Sequence, residues 1–176
     1  MEKNFNIEQH KLFSGLSNDQ LSQVEKLLQV RNYKPDEIIC QEGDRATDAY
    51  IIIDGKANVS KQKENSENTY DIVTLSSGAI IGEISFINRI CHSATVKAIT
   101  PVTIFTLSCD KLDALKNDKD SETQLIYYKI IENIASELCR RITYTNQILI
   151  DMMHSKKIEE DIRNAKMSMF AGFWSM

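Results

Sequence analysis

The chain has 176 residues, enough for one sizeable hydrophobic core and a short appendage. Its 42% hydrophobic and 26% charged residues are the proportions of a folded globular protein, which excludes a disordered or fibrous chain. A formal net charge of −4 offers no field to attract phosphate polymers, so nucleic acid is not the expected partner.

The opening Met1-Glu2-Lys3-Asn4 leads into no apolar signal core, and no later apolar run is long enough to span a bilayer, which points to a cytoplasmic protein. The first predicted helix starts at Ser17-Asn18-Asp19-Gln20. Ser17 can accept from the third helical amide while Gln20 reaches back, and Leu21, Val24, Leu27 and Leu28 follow at helical spacing. Pro35 ends the region in which helix is predicted.

From about residue 31 to residue 108 the pattern changes to short β-type runs: Glu37–Cys40, Ala49–Ile53, Lys56–Lys61, Tyr70–Leu75, Ala94–Ala98 and Val102–Leu107. Five of the six glycines fall before residue 83 and punctuate these runs. Asp54-Gly55 between apolar runs predicts a hairpin, and the polar stretch Gln62–Asn68 an exposed hairpin tip. The spacing predicts a small antiparallel barrel or roll, an α+β fold once the flanking helices are added.

Beyond Asp110 the chain reads as helix. Asp110 or Ser108 can cap a short one through Leu115, and a longer one is predicted from Ser121, with Gln124 in capping-box position. On it Tyr128, Ile131, Ala135, Leu138, Ile142, Thr145, Leu149 and Met152 alternate spacings of three and four, the seam of a coiled coil. This predicts a parallel homodimer through residues 121–152. A second stripe, Ile130, Ile134 and Ile148, is free to meet the barrel; the alternative is a helix that packs on its own barrel alone. In the remaining tail Ile158, Ile162, Ala165, Met169 and Phe173 keep helical spacing, widened by Phe170 and Trp174. Such a stripe packs on the protein itself, docks a partner protein or lies on a membrane. The mixed charges Lys156, Lys157, Glu159, Glu160 and Asp161 weigh against the membrane. The predicted division is 1–120 for the roll with its N-terminal helices, 121–154 for the dimerisation helix and 155–176 for the tail.

Cys40, Cys91, Cys109 and Cys139, like His10, His92 and His154, are widely scattered, so neither a zinc site nor a disulfide framework is predicted. Buried reduced thiols are the reading of the cysteines. No catalytic constellation is found, and a metal-dependent enzyme would rest on Glu83 and His92 alone.

The segment Gly78-Ala79-Ile80-Ile81-Gly82-Glu83-Ile84-Ser85-Phe86 carries the chemistry. Gly82 lets the backbone approach a ligand, and the free amides after Glu83 suit a phosphate at a helix start. Glu83 fits a ligand that also offers a hydroxyl donor, such as a ribose 2′-OH. By itself the pair also reads as a plain surface turn.

Three stretches together resemble the family of cyclic-nucleotide-binding domains, which includes the bacterial catabolite activator protein and the regulatory subunits of cyclic-AMP-dependent kinase. They are Leu12-Phe13-Ser14-Gly15-Leu16-Ser17, Gly43 through Val59, and Gly82 through Ala98. The resemblance covers roughly residues 10 to 150. It implies a jelly-roll-like β-roll holding cyclic AMP or cyclic GMP, with Glu83 on the ribose hydroxyl and Gly82, Ile84 and Ser85 as backbone contacts. It also implies that Ser93 touches the phosphate, and that Thr145 and Asn146 of the long helix reach the base. Thr145 is also the one polar residue of the heptad seam, where it would serve register alone.

One departure stands out: the family's phosphate-pairing arginine falls on His92. A guanidinium is always charged and can make two parallel bonds, whereas a neutral imidazole offers a single donor. Losing one charged hydrogen bond costs about 1.5–3 kcal/mol. That is roughly ten- to more than a hundredfold in affinity. Either Arg89 swings over the phosphate, or the bound phosphate protonates His92 and affinity rises as pH falls. The expected function is a regulatory module that signals through its C-terminal helix to an effector protein. The rival is a degenerate fold kept for protein interaction or dimerisation. After Leu149 the chain has no room for a helix-turn-helix reader, so DNA binding is not expected.

Overall fold

The computed structural model describes residues 7–63 and 68–173, with side chains described only as far as Glu160, Glu159 excepted. Two short 3-10 helices, Ile7–Gln9 and Lys11–Phe13, lead into α1 (Asn18–Leu27). Both halves of the capping box form: Ser17 Oγ accepts from the Gln20 amide, and the Gln20 side chain accepts from the Ser17 amide. Leu21 and Val24 are the buried face of α1.

Eight strands follow, in two antiparallel sheets. One has the order β1 (Gln29–Tyr33), β8 (Val102–Ser108), β3 (Asp48–Asp54), β6 (Ile80–Ile81). The other runs β2 (Ile38–Cys40), β7 (Thr95–Ala98), β4 (Lys56–Gln62), β5 (Thr69–Ser76). This is the antiparallel roll that the strand spacing predicts. A core cluster is fed from both sheets, including Ile39, Tyr50, Ile52, Ala57, Ile81, Val96, Val102 and Ile104. β3 is buried on both sides because α2 (Glu83–Asn88) also packs on it, which is why Ala49–Ile52 is a continuous apolar run without alternation.

Two strands escape the sequence pattern. β1 is exposed along most of its length and pairs only with β8, so it has no apolar alternation to show. β6 is two residues long. The predicted Asp54-Gly55 hairpin is corrected: β3 and β4 lie in different sheets, and the turn carries the chain from one to the other. Gly55 has φ 95°, and a Cβ there would collide with the Pro101 carbonyl and Val102, so the glycine serves a close crossing of backbones. The β4–β5 hairpin pairs from Lys56 opposite Ser76 to Gln62 opposite Thr69, while residues 64–67 of its predicted tip lie outside the described residues.

Ser108, of the two predicted candidates, caps α3 (Cys109–Lys116) by accepting from the Lys111 amide. α4 runs from Ser121 to Phe173, but its capping group is Asp120 and not Ser121. The Asp120 carboxylate accepts from the Thr123 amide at 2.9 Å and its hydroxyl at 2.8 Å, while Gln124 Nε2 donates to the Asp118 carbonyl. The helix is unbroken across 154 and 155, where the predicted tail begins, because no Gly or Pro stands there to stop it.

The chain forms two compact units that divide between Ile134 and Ala135. In the first, Ile126, Ile130 and Ile134 are fully buried on α4, and Asn133 Nδ2 donates to the Leu12 and Ser14 carbonyls at 2.9 Å each. In the second, Glu137 is buried and accepts from Arg140 and Arg141. Ile148, the third member of the predicted barrel stripe, is exposed instead. Among the described residues no helix is long and apolar enough to cross a membrane. The Ile162, Ala165, Met169, Phe170 and Phe173 side chains and all of Trp174 lie outside what is described.

Candidate functional site

The turn out of β6 sets the geometry of the site. Gly82 has φ 78°, a left-handed conformation that only glycine adopts without strain, and it delivers the chain into α2. A Cβ on Gly82 would stand 3.2 Å from His92 Cε1 and 3.5 Å from the Asp48 carbonyl. The imidazole therefore packs directly against the glycine turn. Glu83 and Ser85 face inward and are buried, and Ile84 is half-exposed between them. The buried Ser85 hydroxyl donates to the Cys91 carbonyl at 3.0 Å, which folds the loop after α2 back toward the helix start.

That loop is clamped a second time. The His92 amide donates to the Asp44 carbonyl at 2.8 Å and the Gly43 amide donates to the His92 carbonyl at 2.9 Å. The β2–β3 loop and the His92 loop thus hold each other, and Gly82, Glu83, Ser85 and His92, all from the one predicted stretch, lie together. Ser93 follows at the surface, where its carbonyl accepts from Lys61 Nζ at 2.9 Å.

The electrostatics of His92 have two sides. Burial pushes its imidazole below the ordinary value, and the nearby carboxylates of Asp44 and Asp48 push the other way without overcoming it. At neutral pH the ring is uncharged and offers one N–H. Neither aspartate is singled out by sequence reasoning, because only the pairing of the two loops brings them to His92.

Arg89 ends α2 with its guanidinium bonded to Asp113 Oδ1 at 2.6 Å. Thr145 and Asn146 are exposed on α4 in the second unit. One surface was not predicted. Val73 of β5 pairs directly with Val59, which packs on the core, so both point inward, yet Val73 is 48% exposed. Beside it Leu75 pairs with Ala57 on the same inner face. Val73 is therefore an inward-facing apolar side chain left half-exposed beside Val59 and Leu75, which pack on the core. The sequence signal was weak, since β5 is exposed at nearly every position and shows no clean alternation.

Of the cysteines, Cys40 and Cys109 are buried as expected, whereas Cys91 and Cys139 are exposed; all four are free thiols. Among the described residues no three His, Cys, Asp or Glu side chains gather in a way that could hold a metal ion.

A family profile described as cyclic nucleotide-binding domain matches residues 30–119. The chain belongs to the cyclic-nucleotide-binding domain family. Among curated proteins it is similar to the cAMP-dependent protein kinase regulatory subunit of Mycosarcoma maydis, 32% identical over 87 residues, which is 49% of this chain. The chain spans only 16% of that subunit's length. Among solved structures it is similar to a cyclic nucleotide-binding domain from Methylobacillus flagellatus, with 27% identity and TM-score 0.68 over 78% of this chain and 74% of the other. The catabolite activator protein of Thermus thermophilus shares the fold at 21% identity and TM-score 0.66, over 79% of this chain and 61% of that one. The likeness to these two solved structures is one of fold.

Proposed function

We propose that this chain is a regulatory module that receives a cyclic nucleotide, cyclic AMP or cyclic GMP, through a proton-linked phosphate seat. The observation that carries the reading is the contact of His92 with Gly82, which puts a titratable donor against the turn that opens α2. In this reading the amides of Ile84 and Ser85 face the phosphate, Glu83 accepts from the ribose hydroxyl, and Ser93 flanks the phosphate. Val59, Val73 and Leu75 lie under the base. The module acts in the cytoplasm as a homodimer through residues 121–152, and passes the signal to an effector protein through its C-terminal helix. The exposed seam residues Tyr128, Ile142, Leu149 and Met152 support the dimer. No covalent chemistry is assigned to the site, and DNA is not a partner in this reading.

The proton link follows from charge. Free His92 is neutral at pH 7 because burial disfavours its cation. A bound phosphate favours that cation, so the pKa is higher in the complex than in the free protein. Binding then takes up a proton, and affinity rises as pH falls from above the bound-state value toward the free-state value. Titration calorimetry with cyclic AMP and cyclic GMP at pH 6 and pH 8 checks this: binding is tighter at pH 6. His92→Arg binds tighter at both values, by roughly ten- to a hundredfold, and loses the pH dependence.

Asp44 and Asp48 favour a second reading, in which the fold no longer takes nucleotide and serves as an interaction module, because they set negative charge beside the phosphate seat. Equal affinity at the two pH values overturns the proton link. Absence of heat with either nucleotide, in both the unsubstituted chain and His92→Arg, overturns nucleotide reception and leaves the second reading.

A further inference from the structure

Arg89 is committed to contacts that a phosphate ligand would not need. Its Nη2 reaches Asp113 of α3, its guanidinium carbon stands 5.5 Å from the centre of the Phe86 ring, and the same group lies against the thiol of Cys109, the first residue of α3. Its backbone is held as tightly. Arg89 is the C-cap of α2, at φ 56° and ψ 35°, and its amide donates to the Ser85 carbonyl. Glycine is the usual residue for that left-handed position, since a Cβ disfavours it. Arg89, Cys109 and Asp113 line a polar cleft of about 640 Å³ that also takes in Arg45 of the β2–β3 loop and Asp48 at the start of β3. The cleft therefore joins the end of α2, the β2–β3 loop and the start of α3.

We propose that Arg89 is a strap: its ion pair with Asp113 holds α2 against the start of α3, and its release is the motion that opens the segment carrying Gly82 to Ser85. Phe86 and Cys109 form the floor beneath the strap, both buried, with Cys109 Sγ 4.0 Å from the Phe86 carbonyl. Opening exposes that thiol, which makes it a reporter of the strap. The strap gives a function to the helix named in the nucleotide reading, but it operates without any nucleotide, so the two can fail separately.

The test uses the full chain without ligand, in a Cys91→Ser, Cys139→Ser background that removes the two exposed thiols. Alkylation of Cys109 is followed by peptide mass spectrometry, alongside hydrogen exchange of the amides between Ile84 and Ile90. Burial pushes the remaining Cys40 thiol up to about 11, so it reacts slowly and maps separately. Asp113→Asn, at a surface position, raises Cys109 labelling and α2 exchange by about two- to fivefold, the range of a half-exposed ion pair. The reversed pair Arg89→Glu with Asp113→Arg brings both rates back down. In the unsubstituted strap, salt at about 1 M raises labelling toward the Asp113→Asn rate, which itself responds little to salt. Unchanged rates in Asp113→Asn, a reversed pair that restores nothing, or salt-independent labelling of the intact strap each overturn the proposal. Calorimetry that finds no nucleotide while the strap responds as described removes the nucleotide reading alone.

Discussion

His92 is the residue on which the chemistry turns. Counting from Gly82 finds it in sequence, yet counting says nothing of its surroundings: the glycine turn against its ring, the burial, and two carboxylates from a segment more than forty positions earlier. Those surroundings fix the sign of a stability effect. The folded-state pKa lies below the ordinary value near 6.5, so between the two the unfolded chain holds the proton and the folded chain does not. The contribution is fully present above about pH 6.5 and is lost as pH falls through the folded value. Thermal midpoints of the ligand-free protein taken from pH 7.5 to 5.5 should fall, and fall less in His92→Gln, which cannot take up the proton. Identical pH profiles for the two proteins would show that His92 does not titrate in this range. Arg89 teaches the same lesson: its position beside the site is legible, but its partner Asp113 is brought to it by the packing of α3.

At the scale of elements, what was legible depended on how local the determinant is. The Ser17 capping box is written within four residues, and it forms as written. The α4 cap shows the limit: Ser121 with Gln124 fits the motif, but Asp120 is a stronger acceptor one residue earlier and takes the Thr123 amide. Asp54-Gly55 has the composition of a hairpin turn, and only the sheet order reveals a crossover instead. The faces of α4 are separated in the same way. Two of the three stripe residues assigned to the barrel, Ile130 and Ile134, are fully buried, and Ile126 one turn earlier joins them. Ile130→Ala should cost about 2–5 kcal/mol in a denaturant titration, because a buried isoleucine leaves a cavity that a packed interior closes poorly. A loss below about 1 kcal/mol would place Ile130 outside the core.

For the whole molecule the open question is assembly. The heptad seam leaves Ile142 60% exposed and Leu149 52% exposed, an amount of apolar surface along one helix that a partner helix would cover. Sedimentation velocity should find a dimer at micromolar concentration, and Ile142→Glu with Leu149→Glu should convert it to a folded monomer with unchanged circular dichroism in the β region. A monomer from the unsubstituted chain would remove the dimer from the proposed function.

Taken by itself, the sequence determined the class of fold, the extent of most strands, the helix start at Ser17 and the glycine turn of the site. Each of these rests on periodicity, capping or backbone freedom, which act over a few neighbouring residues. Only the tertiary structure decided that Gly55 joins two sheets, that Arg89 is held by Asp113, and that His92 sits neutral between a glycine turn and two aspartates. These depend on loops and helices far apart in the chain being packed together, and on the burial that packing creates, which no local pattern records.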